Sequence, residues 1–577
     1  MKSGNKMHTL KKVISEVSQY KINLVLSILC AVVFVVCSLY IPILAGEAID
    51  GIKSAGNVDF DVVRTNIIKI AICMVIAAVS QWTMSIINNK ITYNTVRDLR
   101  LKAFSKLMKV PVGFIDKNTH GDIISRVISD IDTFSDGLLM GFSQLFTGVA
   151  TIAGTIIFML TMSPLITLAV VVLTPVSLFA AKFIASRTYS MFKKQSEFRG
   201  FQTGFVNEMI QNQKTVKAFS YEMKSQREFD EINDGLKKAS LKATFYSSLT
   251  NPVTRFVNSL VYMTVALFGA LYVINGGLTV GMLVSFLSYA NQYTKPFNEI
   301  SGVIAELQNA LACAKRVFEL IDEDEFPDNG KLTPENINGR IEFNNVSFSY
   351  SNDKKFIENM SFTAEVGQKI AIVGATGCGK TTLINLLMRF YDVDSGEIKI
   401  DGKNIKDFTC ENLRKCFGMV LQETWLESGT VRENLVFGRN DATDEQIKKA
   451  AELTKSDSFI ERLPDGYDTE TGENGSLLSE GQKQLLCITR VMLNNPPILI
   501  LDEATSSVDT LTEEKIQQAF DVLMKGRTSF VVAHRLSTII NADKILVMDN
   551  GRIVETGTHE ELLSNGGVYA NIFNSQF

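Results

Sequence analysis

Histidine is scarce, and cysteines in closely spaced pairs are absent. The four histidines are widely scattered along 577 residues, so no cluster with metal-ligand spacing can be read. None of the eight cysteines (Cys30, Cys37, Cys73, Cys313, Cys378, Cys410, Cys416, Cys487) belongs to a Cys-x-x-Cys pair. They read as free thiols of a reducing compartment. The net charge is only −4 and no basic tail is present, which leaves no footing for a nucleic-acid partner.

Apolar sequence, by contrast, is abundant. The chain is 46% hydrophobic and 21% charged, and the apolar residues concentrate before about residue 310. Six stretches, roughly 22–46, 66–89, 138–161, 164–186, 250–274 and 278–297, are long enough to cross a bilayer, which takes about 20 residues of helix. The first is too long for a signal-peptide core and no small-residue cleavage site follows it, so it is expected to stay as a spanning helix. None of the six carries Asp or Glu in its central part, which argues against a proton relay and hence against ion-coupled transport.

The connections fix an orientation. Residues 90–130 carry Lys90, Arg97, Arg100, Lys102, Lys106, Lys109, Lys117 and Arg126, and residues 187–246 are as basic, whereas 47–61, 161–164 and 275–277 are poor in Lys and Arg. The positive-inside rule puts the basic connections and both termini in the cytoplasm of a cell whose cytoplasmic membrane holds the chain. Pro and Gly breakers are missing over long parts of both basic segments, so they read as membrane helices continuing into the cytosol as two hairpins. Their candidate tips are Phe114–Asp122 and Asn212–Tyr221.

Residues 322–340 are acidic and rich in Pro, Gly and Asn, a linker pattern. From Ile341 short strands alternate with helices, which predicts an α/β domain. The expected organisation is therefore multi-domain. An all-α transmembrane domain of six helices with long cytoplasmic extensions covers 1–321, the linker 322–340, and an α/β P-loop ATPase domain 341–577.

Gly374-Ala375-Thr376-Gly377-Cys378-Gly379-Lys380-Thr381 fits G-x-x-x-x-G-K-[ST], follows the apolar run 369–373 and opens an amphipathic segment beginning at Thr382. That strand–loop–helix setting is what a phosphate-binding loop needs. Its glycines let N–H groups turn toward phosphate oxygens, and the helix offers its positive end. Lys380 supplies a point charge and Thr381 a hydroxyl for magnesium. Downstream, 497–501 reads as a buried strand ending in Asp502 and Glu503. Asp502 is placed to support magnesium, and Glu503 to act as general base on water. Tyr350 is an aromatic upstream of the loop, suited to stacking on adenine. Gln422 follows a short strand, Ser479, Gly481 and Gln482 sit at a helix start, and His534 ends a strand where it can reach a terminal phosphate.

Taken together these residues resemble an ATP-binding-cassette exporter of the kind that fuses six membrane helices to one cassette. The resemblance rests on Tyr350, the loop 374–381, Gln422, TGENG at 471–475, LLSEGQ at 477–482, ILILDE at 498–503, SSVD at 506–509 and AHRLST at 533–538, and it spans essentially the whole chain. It implies a dimer that sandwiches ATP between the loop of one cassette and the signature segment of the other. It also implies that Gln422 senses the γ-phosphate beside magnesium, and that Asp509 communicates across the dimer. The implied function is ATP-driven export. An ATP-gated channel or regulator shares the architecture, but no regulatory insertion separates the domains and both Glu503 and His534 are present.

Two positions depart from that pattern. Glu480 holds the first Gly position of the signature, where a carboxylate near phosphates is unfavourable unless it points away. Cys378 replaces the usual Ser before the last Gly of the loop, where a helix N-terminus can lower a thiol's pKa, but the reading preferred for its function is a small tolerated residue. The departure at Glu480, together with the stretch Gln422–Asn434, which resembles bacterial heterodimeric exporters, favours a heterodimer of two half-transporters over a homodimer. Trp82, Gln81, Gln144, Asn258, Tyr262, Tyr289 and Gln292 lie among aliphatic and Phe residues, a lining that suits a small amphipathic, drug-like or lipid-like substrate ahead of a peptide.

Overall fold

The computed structural model describes residues 3–54, 57–333, 336–350, 356–421, 424–502, 510–532 and 536–576. The chain forms two compact units, one of Met1–Met108 with His120–Glu323, the other of Lys109–Thr119 with Asp324–Phe577.

The first unit is helical. Helix α1 (Ser3–Ser18) leads into α2 (Lys21–Asp50) and α3 (Phe60–Leu107). The chain then enters the second unit for the short α4 (Val112–Lys117) and returns with α5 (His120–Val127), α6 (Ser129–Met140), one π-helical segment (Gly141–Leu145) and α7 (Phe146–Met162). Helices α8 (Pro164–Gln211), α9 (Gln213–Ala218), α10 (Glu222–Ile274) and α11 (Val280–Ile321) complete it. The start signals are local. Asp59 caps α3 by accepting from Val62 N at 3.3 Å, Pro164 opens α8 with its φ already set for a helix, and Thr279 caps α11 by accepting from Met282 N at 3.1 Å. Helix α3 has 48 residues, about 72 Å at the usual rise, more than twice a ~30 Å hydrocarbon layer. Among the described residues, Lys21–Asp50, Phe60–Leu107 and the continuous run His120–Met162 are each long and apolar enough to cross a membrane, and Asn258–Ile274 is a shorter apolar helix.

Helices α2 and α11 are tied at close range. A Cβ on Gly281 would lie 2.0 Å from the Gly46 carbonyl oxygen, so only glycine permits the approach, the small-residue contact typical of membrane helices. Asp50 accepts from Thr279 Oγ1 at 2.6 Å and Gly281 N at 2.8 Å, and the Tyr289 hydroxyl donates to Leu39 O at 2.5 Å. Tyr289 is fully buried and serves helix packing. Trp82 is widely exposed on α3.

The second unit has two sheets. Strands β1 (Ile341–Phe348), β2 (Ile357–Ala364), β4 (Ser395–Ile400) and β5 (Lys403–Asn404) make an antiparallel sheet, while β3 (Lys369–Val373), β6 (Phe417–Val420), β7 (Ile498–Asp502), β8 (Thr528–Val532), β9 (Lys544–Asp549) and β10 (Arg552–Gly557) form a second one ordered β10-β9-β3-β8-β7-β6. All pairs in the second sheet are parallel except β9–β10. Its inner strands are apolar on both faces, as a sheet covered on both sides requires. Ile370, Ile372, Ile500, Phe530 and Leu546 share one core cluster, and Leu499, Leu501 and Val531 another.

Candidate active site

The parallel strands end at one level. Val532 of β8 pairs with Ile372 of β3 on one side and with Asp502 of β7 on the other, and Leu501 pairs with Val420 of β6. The phosphate-loop strand, the Asp502 strand and the strand leading to residue 422 thus finish at the same sheet edge, outside the carboxyl ends where α/β sheets bind ligands. Gln422, Glu503, Asp509 and His534 lie outside the described residues.

Between β3 and helix α12 (Lys380–Leu387) the loop turns on its glycines. Gly377 and Gly379 have φ of 83° and 111°, values that side chains rarely adopt. A Cβ on Gly374 would stand 2.3 Å from the Met548 carbonyl oxygen, so that position has no room for one. The loop closes with Cys378 N donating to Ala375 O at 3.2 Å and Gly551 N donating to Cys378 O at 3.0 Å. Lys380 Nζ lies over the loop and donates to Gly374 O at 2.7 Å and Ala375 O at 3.1 Å. That places an ammonium in the mouth of the loop, at the positive end of α12. Thr376 and Thr381 are exposed, and Thr382 is buried.

Cys378 does not stand where a reactive thiol is expected. It is buried, 5% exposed, and belongs to the core cluster beneath the loop, its Sγ only 2.6 Å from where a Cβ on Gly374 would lie. Apolar packing from β3, β9 and α12 holds the thiol inside, as a small packed residue and not as an accessible thiolate.

Tyr350 is partly exposed beside the loop. Its hydroxyl lies 3.0 Å from Thr382 Oγ1, and its ring meets Phe348, Phe356 and Tyr391 edge-on at 4.8, 5.6 and 5.2 Å. Tyr391 in turn donates to Asp116 of α4, and Gly113 of α4 lies flat enough that a Cβ there would be 3.0 Å from the Tyr391 ring. Burial, then the Asp116 bond, raises the Tyr391 phenol pKa, which keeps it a donor. Asp116 lies in the candidate hairpin tip Phe114–Asp122, but Tyr391 does not stand out in the sequence.

The signature segment starts helix α13 (Glu480–Asn494) with a capping box. Ser479 Oγ accepts from Gln482 N at 3.3 Å, and Gln482 Oε1 accepts from Ser479 N at 2.9 Å. The box satisfies Ser479 N and Gln482 N and leaves the first-turn amides of Glu480 and Gly481 facing out of the helix start, an anion-binding arrangement. Glu480 turns back along its own helix, with Oε1 2.8 Å from Lys483 Nζ and Oε2 accepting from Thr424 Oγ1 at 3.4 Å. The carboxylate is thereby partly neutralised where the sequence raised a concern about repulsion. Thr471 of the TGENG segment is fully buried and donates to Gly429 O at 2.9 Å, so its part is to hold this loop.

Magnesium is held in proteins by one or two carboxylates and hydroxyls completed by substrate phosphates and water. Thr381 at the head of α12 and Asp502 at the end of β7 are donors of that kind at one sheet edge, and the described residues hold no cluster of three or more His, Cys, Asp or Glu that would make a separate metal cage. The residues present fit the ion.

Residues 24–297 match the family described as ABC transporter transmembrane region, and residues 357–506 that described as ABC transporter. The chain is 40% identical over 571 residues to the uncharacterised ABC transporter ATP-binding protein YfiC of Bacillus subtilis, covering 99% of this chain and 94% of that one. It is 40% identical over 513 residues to a fatty acid ABC transporter ATP-binding/permease protein of Mycobacterium bovis, 89% of this chain and 81% of that one. It is 36% identical over 585 residues to YgaD of Bacillus subtilis, a putative multidrug export ATP-binding/permease protein, 99% of this chain and all of that one, a coverage of 100%. Among solved structures it resembles a bacterial Atm1-family ABC exporter with ATP bound, with TM-score 0.80, 28% identity and coverage of 97% and 98%. The chain belongs to the ABC transporter family, as an exporter that joins a membrane region and an ATPase cassette. It is an integral membrane protein, an ATPase coupled to transport, and exporters of this type work as dimers through their cassettes.

Proposed function

We propose that the chain exports a small amphipathic or hydrophobic molecule, drug-like or lipid-like, across the cytoplasmic membrane, with its termini and cassette in the cytoplasm. The observation that supports the cassette's role is the common sheet edge, at which both the strand leading to the loop, with Lys380 poised over it, and the strand ending in Asp502 finish. In this reading Gly374, Ala375, Thr376, Gly377, Cys378, Gly379, Lys380, Thr381 and Thr382 cradle the phosphates, mostly through backbone amides. Tyr350 stacks on the base. Thr381, Asp502 and Gln422 face magnesium, which supplies charge neutralisation at the phosphates. Glu503 takes a proton from water, and His534 contacts the terminal phosphate. Ser479, Gly481, Gln482 and Asp509 serve the partner cassette's nucleotide.

The relatives' names support both substrate classes, since one is named for fatty acids and another for multidrug export. ATPase stimulation of the reconstituted transporter by a panel of drugs, lipids and peptides tests this. Stimulation by peptides alone contradicts it. The partner is proposed to be a different half-transporter, because Glu480 sits in the segment that serves the partner's site. Expressed alone, the chain then gives weak ATPase, and a stable homodimer with brisk, cooperative hydrolysis contradicts the heterodimer.

A further inference from the structure

We propose that the groove beside α1 binds one acyl chain of an anionic membrane phospholipid, at a place separate from the cassette's chemistry. A cavity of about 420 Å³ lies within the first unit between α1, the α6–α7 run and α11. Leu10 and Ile14 of α1, Leu138 and Phe142 of the α6–α7 run, and Leu307 and Ala310 of α11 line it, and among the described residues Ser18 is the one polar residue around it. A ligand with hydrogen-bonding groups would leave them unsatisfied here, at a substantial desolvation penalty. A hydrocarbon chain would not.

The position of the groove names the source of the chain. Helix α1 buries Val13 and Val17 but leaves Leu10 and Ile14, which line the cavity, exposed, and Met7 is exposed one turn earlier on the same helix. Immediately after the turn, α2 continues with exposed Ile22, Val25, Leu29 and Val32, the open apolar surface of a membrane-spanning helix. Leu24 of α2 also borders the cavity. The groove therefore runs on from a surface that lipid covers. An amphipathic helix leading into a span lies along the bilayer interface. Its charges select the headgroup. Lys12 is paired with Asp322, and the single acid of α1, Glu16, is taken by Lys102 at 2.8 Å. Among the described residues Lys11, next in sequence to the cavity-lining Leu10, and Lys21, three residues before the cavity-lining Leu24, are exposed and have no ion-pair partner, so two free cations lie on the helices that border the slot. Juxtamembrane lysines attract anionic lipid in this way.

The wall opposite α1 includes the π-helical segment, a feature that often marks functional positions in helices. Gly141 lets this wall approach α11, since a Cβ there would be 2.9 Å from Leu307 Cδ2. A chain in the groove touches both α11 and the π segment.

The test uses the full chain in vesicles of phosphatidylglycerol and phosphatidylcholine with a trace of phosphatidylglycerol carrying a photoreactive diazirine in mid-chain. After irradiation, adducts are mapped by mass spectrometry. The inner walls 138–146 and 307–311 should carry adducts. Leu10→Trp and Ile14→Trp, both at exposed positions that fold without disturbing the core, should cut those adducts at least fivefold while leaving labelling of 22–36 unchanged. A phosphatidylcholine probe should label the inner walls less, and Lys11→Gln with Lys21→Gln should remove that headgroup preference. Inner walls without adducts, or adducts indifferent to the Trp variants, would overturn the site, and equal labelling by the two headgroups would overturn its anionic selectivity.

Discussion

The phenol of Tyr391 donates to the carboxylate of Asp116, and its ring stands edge-on to Tyr350 at 5.2 Å. Tyr350 touches Thr382, the residue after the loop's Thr381, at 3.0 Å. One unit therefore contains an unbroken path from α4, which is continuous in sequence with the long helix α3, to the head of the phosphate-loop helix.

Tyr391→Phe keeps the ring and removes the bond. A hydrogen bond to a charged acceptor contributes about 1.5–3 kcal/mol. Nucleotide affinity should change less than about twofold, while substrate stimulation of ATPase should fall severalfold. Tyr391→Ala should lower both, because Tyr350 loses its edge contact. Unchanged stimulation in Tyr391→Phe would show that this bond carries nothing to α4.

Lys380→Ala removes the ammonium that Gly374 O and Ala375 O hold over the loop. Charge-assisted bonds to phosphate are the strong ones, so nucleotide titration should show affinity lowered by about tenfold or more. Affinity within twofold of the unaltered chain contradicts the assignment of the loop.

Glu480 and Lys483 form a testable couple. With Lys483→Met, Glu480 loses its partner 2.8 Å away and an uncompensated carboxylate remains at the helix start proposed to serve the partner's nucleotide. ATPase of the assembled dimer should fall several-fold, and adding Glu480→Gly should restore it. Equal activity in the single and double variants would place Glu480 away from phosphate. The double-variant cycle isolates the coupling because the two side chains are in contact.

Burial of Cys378 beneath the loop implies slow chemistry. A maleimide should leave Cys378 unmodified in the folded chain and label it after unfolding, and Cys378→Ser should keep near-normal ATPase. Rapid labelling that ATP blocks would show a thiol facing the nucleotide instead.

Much of this was legible because its signals are local. The phosphate loop announces itself by glycine spacing, and the apolar runs by length. Ser479 and Gln482 stand at capping-box spacing, and the Glu480–Lys483 pair at i,i+3 was open to reading too. What was not legible depends on residues far apart in sequence. Nothing near Asp116 points to Tyr391, 275 positions away, nor does local pattern assign Lys109–Thr119 to the second unit. Cys378 reads as a loop residue until packing against Met548 and its neighbours draws it inward. Tyr289 reads as a cavity group until its hydroxyl is found on Leu39 O. Side-chain direction is settled by tertiary packing, which periodicity does not record.

The central claim is that hydrolysis at this cassette drives export. The most direct measurement follows uptake of an ATPase-stimulating substrate into inside-out vesicles whose ion gradients have been collapsed, comparing the unaltered chain, assembled with its partner, with Glu503→Gln. Losing the proposed general base while Lys380 and Asp502 remain should leave ATP binding nearly intact and reduce turnover by about 10²–10⁴-fold. The account predicts ATP-dependent uptake in the unaltered protein and none above background in Glu503→Gln. Uptake that vanishes with the gradients despite ATP, or that persists in Glu503→Gln with near-normal ATPase, would contradict it.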